Sequence, residues 1–170
     1  GYVKYTWEVP ADRFYKEDTN RVCPKIENHA LMPYIQENRV SSPEQKFTAF
    51  LEENKEYIDW WYKNGDSGKQ HYAISYTNVD GNKALFYVDF VIRMKNGQVF
   101  LFDTKSEDSD KNAPCKHNAL IDYIHNEENA DKHLKGGVII QTKNGENWKY
   151  CPMKIENTTD ISNTATFSIP

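Results

Sequence analysis

The sequence predicts a mixed α/β domain, in the order helix, three strands, second helix, further strands. Three observations carry this. Residues 85–105, LFYVDFVIRMKNGQVFLFDTK, read as two strands around a tight turn at Lys95-Asn96-Gly97, since apolar and aromatic residues fill both flanks and Asn-Gly tolerates positive φ. Ser42-Pro43-Glu44-Gln45 has the form of a helix start. Pro114 opens a second helical pattern, and Gly136-Gly137 then precedes the strand-like run Val138-Ile139-Ile140-Gln141.

The hairpin is apolar on both faces, which predicts a central, covered position. Asp89, Asp103 and Lys105 interrupt it, and charges are rarely buried without partners. Register decides whether they meet. A two-residue Asn96-Gly97 turn would set Asp89 opposite Thr104 and turn the aspartates to opposite faces. A three-residue loop closed by Gly97 in the left-handed conformation pairs Met94 with Gln98 and sets Asp89 across from Asp103. The second is preferred, and it puts Asp89, Asp103 and Lys105 on one face. Two carboxylates that close need a proton or a cation between them, so the arrangement calls for a hard divalent metal bordered by Lys105.

In the first helix Ser42 is the N-cap, Pro43 the first helical residue and Gln45 completes a capping box. The helix is expected to reach about Tyr62, with Phe47, Phe50, Leu51, Ile58 and Trp61 as its apolar stripe. Glu44 falls on that face. Either it complements the positive end of the helix dipole, or it completes the acidic cluster. The segment 63–69, KNGDSGK, reads as a turn-rich connector with basic flanks. A strand over about 71–79 and a turn at Asp80-Gly81-Asn82 follow, giving three consecutive antiparallel strands with the hairpin.

Beyond Lys105 the run SEDSDK reads as a solvated loop, with Asp108 and Asp110 as its acids. The second helix should run from Pro114 to about Asn129 on a stripe of Cys115, Ala119, Leu120, Tyr123 and Ile124. Lys116 leans toward the covered side, either snorkelling to water or reaching a phosphate. With Glu44 it is expected to aim at the face of the aspartates. A second turn, Lys143-Asn144-Gly145, leads to a strand at 148–151, and the tail from Pro152 reads as peripheral. The first 39 residues show no clear periodicity, and His29 there reads as a surface or satisfied group.

A chain of 170 residues at 38% hydrophobic composition is one domain of ordinary size. Cys23, Cys115 and Cys151 are odd in number and far apart, which points to reduced thiols in a cytoplasmic protein and to no metal role. No apolar run has membrane-spanning length, and a start at Gly1 rather than Met is expected of a piece of something longer. The net charge of −4 argues against strong unaided attraction to nucleic acid, although bound cations or a local basic patch override such a balance.

A Glu on the first helix, an Asp on the second strand and Asp-x-Lys on the third resemble the PD-(D/E)xK nuclease superfamily, over roughly 42–151. Asp89 and Asp103-Thr104-Lys105 match its signature, with Val88 where the name places proline. The wording FYVDFVIRMKNGQVFLFDTKS, preceded by WWYKNGDSGKQHYAISY and followed by GGVII, is similar to the C-terminal endonuclease domain of the Res subunit of type III restriction enzymes. That resemblance implies a restriction-endonuclease-like αβββαβ core with a central mixed sheet flanked by helices. It divides the chain into an extension or linker from an upstream motor (1–41), the nuclease core (42–152) and a peripheral tail (153–170).

The resemblance further implies a cytoplasmic, prokaryotic enzyme that hydrolyses phosphodiester bonds of double-stranded DNA with Mg²⁺, Mn²⁺ substituting. Asp89, Asp103, the Thr104 backbone carbonyl and Glu44 would hold the metal, Lys105 would position the attacking water, and Lys116 would assist the phosphate. Its partners would be an ATP-driven helicase-like motor in the same full-length chain and a modification (Mod) subunit that reads the DNA site. The sequence contains no G-x-x-x-x-G-K-[ST] loop, so ATP hydrolysis is not expected of this segment. Two rival readings stand beside this one. One is a catalytically inactive nuclease-fold module for DNA binding or subunit scaffolding; the other is an interaction domain in which Asp103 simply pairs with Lys105 or Arg93.

Overall fold

Pro43 and the apolar pair Phe47 and Leu51, both fully buried, set α1 (Ser42–Glu53). This computed structural model describes residues 42–64, 72–105, 111–141 and 147–155, together with 25–26, 34–35 and 165–166. The helix is shorter than the sequence predicts. Asn54 ends it, its side-chain amide donating to the Phe50 carbonyl at 2.8 Å and so satisfying one of the acceptors a helix end leaves open. A 3₁₀ turn at Lys55–Tyr57 follows, and Ile58–Lys63 forms a strand. Ile58, Trp60, Trp61 and Tyr62 are β-branched or aromatic, and the run gains more by joining a pleated sheet than by extending the helix.

Two strands at the N-terminal side, β1 (Lys25–Ile26) and β2 (Tyr34–Ile35), pair with each other. The strand after α1 is β3 (Ile58–Lys63), followed by β4 (Ile74–Thr77), β5 (Lys83–Phe86), β6 (Phe90–Met94) and β7 (Val99–Lys105). Helix α2 (Ala113–His125), a 3₁₀ stretch at Glu127–Lys132, β8 (Leu134–Gln141), β9 (Trp148–Tyr150) and β10 (Ala165–Thr166) complete the order. The main sheet runs β10-β9-β8-β7-β6-β3, with β7 and β8 parallel and the other neighbours antiparallel. This is the expected mixed α/β fold, and α1, β3, β6, β7, α2 and β8 follow one another as αβββαβ.

The strand expected over 71–79 is present as β4, but it does not join that sheet. It pairs with β5 in a separate hairpin, and β3 supplies the third strand of the meander instead. Residues 85–94 are correspondingly broken: β5 ends at Phe86, the chain changes sheet through Tyr87, Val88 and Asp89, and β6 begins at Phe90. The central turn is the three-residue loop preferred from the sequence. Gly97 has φ +90°, the Gly97 N–H donates to the Met94 carbonyl and the Met94 N–H to the Gln98 carbonyl, at 3.0 and 2.9 Å. Arg93 therefore faces Val99, and Phe90 faces Phe102.

Strand alternation divides the core in two. On one side α1 packs Phe47 and Leu51 against Trp61, Phe90, Phe102 and Trp148. On the other, Leu120 and Ile124 of α2 cover Val91 and Leu101 together with Ile74 and Phe86 of the β4–β5 hairpin. The helices thus lie on opposite faces, and α2 buries His117, Leu120, Ile121 and Ile124, a stripe rotated from the expected one. His29, Cys23, Asp108, Asp110 and the turn at 143–145 lie outside the described residues. Among the described residues no helix is long and apolar enough to cross a membrane.

The parallel β7–β8 contact depends on a residue without a side chain. A Cβ at Gly136 would run into the Leu101 carbonyl group, and its φ is +133°. At Gly97 the φ is also positive, but the space beside it is open. Gly136→Ala is therefore expected to cost about 3 kcal/mol or more, against about 1 kcal/mol for Gly97→Ala, as read by urea unfolding.

Candidate functional site

The pairing of β6 with β7 stops at Phe90 and Phe102, one residue short of Asp89 and Asp103. At that point the Asp89 side chain takes over the role of strand partner. Its Oδ2 accepts from the Thr104 backbone N–H at 2.9 Å and from the Thr104 hydroxyl at 3.0 Å. Asp89 is held from behind as well, because its carbonyl accepts from the Asn64 N–H at 2.8 Å. Asn64 is buried, and its side chain bonds both the N–H and the carbonyl of Tyr72, at 3.0 and 2.7 Å.

Asp103 is 4% exposed and hydrogen-bonds the Asp89 carboxyl group. The Lys105 ammonium lies 3.5 Å from Asp103 Oδ2, as expected of residues two apart on one strand face. The Asp89 carboxyl is pushed from 3.8 up to about 7, by burial first and then by the charge of Asp103. The Lys63 charge and the Thr104 N–H pull the other way without overcoming these. A proton shared between two oxygens is what such a pair holds in place of a cation.

Glu44 reaches this site from the opposite face of the sheet, through an intermediary that the sequence reading assigned to the connector. Lys63 is buried at the end of β3, its stem beside the Phe90 ring and its ammonium 5.5 Å from that ring's centre. Its Nζ is 3.1 Å from Glu44 Oε2, 3.8 Å from Asp89 Oδ1 and 3.0 Å from the Asn64 carbonyl. A lysine before Asn-Gly reads as solvated. Alternation with Trp61 along β3 is the signal that would have placed it inward.

Lys116 is not brought to the aspartates by its ring contact, which sets its ammonium 5.9 Å from the centre of Tyr76 in β4. The expectation that Lys116 and Glu44 aim at one face is thus corrected, since α2 and α1 cover different faces. Arg93 pairs with Asp59 at 3.4 Å rather than with Asp103, whereas the Asp103–Lys105 pair is present.

The donor set suits a hard cation in part. Asp89 and Asp103 offer adjoining oxygens, and an extended residue turns its N–H and carbonyl to the same side of the strand, so the Thr104 carbonyl also faces Asp89. Glu44 joins them only if Lys63 yields. Among the described residues no three His, Cys, Asp or Glu side chains converge as they stand. Comparisons of the chain with protein-family models, with curated proteins and with solved structures find no match.

A carboxyl with a raised folded pKa stabilises the fold fully below the unfolded value near 4, and that contribution is lost as pH rises through about 7. Asp89→Asn, which keeps an acceptor for Thr104, should therefore raise the melting temperature of the metal-free protein more at pH 8 than at pH 5. Carboxyl ¹³C NMR should show Asp89 titrating near 7, and Lys63→Met should move that midpoint higher.

Proposed function

We propose that the chain is a metal-dependent endodeoxyribonuclease domain of the PD-(D/E)xK kind, from the Res subunit of a type III restriction enzyme. In this reading it cuts double-stranded DNA in a prokaryotic cytoplasm with Mg²⁺, for which Mn²⁺ substitutes. An ATP-driven motor upstream in the full-length chain and a Mod subunit deliver the DNA, which accords with the net charge of −4. The observation that carries the reading is the meeting of Asp89 and Asp103 at the end of the central hairpin, with Lys105 beside them.

Bound Mg²⁺ supplies a more acidic water and offsets charge on the phosphate. Asp89, Asp103 and the Thr104 carbonyl are the residues that hold it, with Glu44 as a further carboxylate. Lys105, tethered by Asp103, orients the water whose oxygen attacks phosphorus as the bond to the departing sugar oxygen breaks; the proton the water gives up passes to solvent, and solvent protonates the departing oxygen. Its ammonium also offsets the charge that builds on the phosphate oxygens, where a fixed donor counts most. Lys116, whose ammonium lies over the Tyr76 ring of β4, assists the phosphate.

The inactive-module reading is favoured by one observation, that Lys63 pairs with Glu44 and approaches Asp89. Plasmid nicking separates the two. The 170-residue chain at low salt should nick supercoiled DNA with Mg²⁺ or Mn²⁺ and not with EDTA, and Lys105→Ala should lower the rate about 10²–10³-fold with the melting curve unchanged. Asp89→Ala should abolish Mn²⁺ binding. DNA binding without cutting or metal uptake would favour the inactive module, and full activity of Lys105→Ala would remove that residue from the mechanism.

A further inference from the structure

Lys63 pairs with both Glu44 and Asp89, and a solvated-loop lysine has no reason to be buried there. Its side chain is 8% exposed and its ammonium is satisfied by Glu44 Oε2 and the Asn64 carbonyl, with Asp89 Oδ1 slightly further off. Burying an ammonium is costly without such partners, so this position is held by the acids themselves. The geometry is also exclusive. A cation that drew Glu44 toward Asp89 and Asp103 would need the space the ammonium fills, because Lys63 lies between Glu44 and Asp89.

We propose that Lys63 is a positioning residue that acts as a tethered counter-cation: it holds Glu44 against Asp89 in the metal-free protein and is displaced when a divalent ion enters. This rests on the reading of Glu44, Asp89 and Asp103 as metal ligands. The tether keeps two like charges together across the end of the sheet, so that the site is assembled before metal arrives. It also weakens metal binding, because a resident positive charge repels a second one and must be moved.

The test is Mn²⁺ affinity by electron paramagnetic resonance at pH 8.5 in the unaltered chain, Lys63→Met and Lys63→Arg. Lys63→Met should bind at least about tenfold more tightly, the effect of removing one positive charge a few ångströms from the ion. Lys63→Arg, which keeps the charge, should not. Equal affinity in the unaltered chain and Lys63→Met overturns the proposal and leaves the metal-site reading intact. Absence of binding in all three overturns that reading and this inference together.

Because Lys63→Met leaves Glu44 without this buried partner, the unaltered protein supplies a second measurement. The Lys63 ¹³Cε signal, assigned through Lys63→Arg, should shift during Mg²⁺ titration with the midpoint of the Asp89 carboxyl signal. A Lys63 signal that stays still while Asp89 responds overturns the proposal, and a purely structural lysine would behave that way.

Discussion

The hydrogen bond from the Thr104 N–H to Asp89 Oδ2 is the constraint on which the site depends. It replaces the next backbone pair of the β6–β7 ladder, and so fixes a carboxylate in the plane of the sheet where a strand residue would otherwise lie. Once Asp89 is there, the buried Asp103 beside it forces a choice between proton and cation. Lys105 attends one side of the pair and Lys63, bringing Glu44, attends the other. The two flanking helices have no direct need to meet, since the sheet's end gives both faces access to one point.

The hairpin register was legible because turn chemistry and charge agree: Gly97 accepts the left-handed conformation, and the loop it closes is the one that sets Asp89 beside Asp103. The helix start at Pro43 was legible for the same kind of local reason. The segment Ile58 to Lys63 was not, because Ile58 and Trp61 fit a helical stripe drawn from Phe47 as well as they fit a strand. Tertiary pairing with β6 decided between them. Ending that helix at Tyr62 also leaves Lys63 to the connector, whereas its burial follows only from strand alternation.

The stripe of α2 was misjudged by a small rotation with a clear cause. His117, outside the expected stripe, is buried: the Val138 N–H donates to its Nδ1 at 3.1 Å, so Nε2 carries the hydrogen and donates to the Met153 carbonyl at 2.8 Å. Burial holds this imidazole below its usual pKa, and hence neutral. Beside it, Asn118 bonds the N–H and carbonyl of Ile155, at 2.8 and 2.9 Å. These contacts over 151–155 cannot be read from hydropathy, because each depends on a backbone group distant in sequence.

The β4–β5 hairpin interrupts the path from β3 to β6, yet Asn64 closes that excursion at its base by bonding Asp89 with its backbone and Tyr72 with its side chain. In polymer terms the loop is sealed where it leaves the sheet, and the entropy of closure grows only slowly with the length beyond the seal. The tip at Asn78 to Asn82 can then lengthen, shorten or change composition at little cost to the positions of Lys63 and Asp89. Variation tolerated there gives the fold a place to acquire new surface without disturbing the acidic cluster at the end of the sheet.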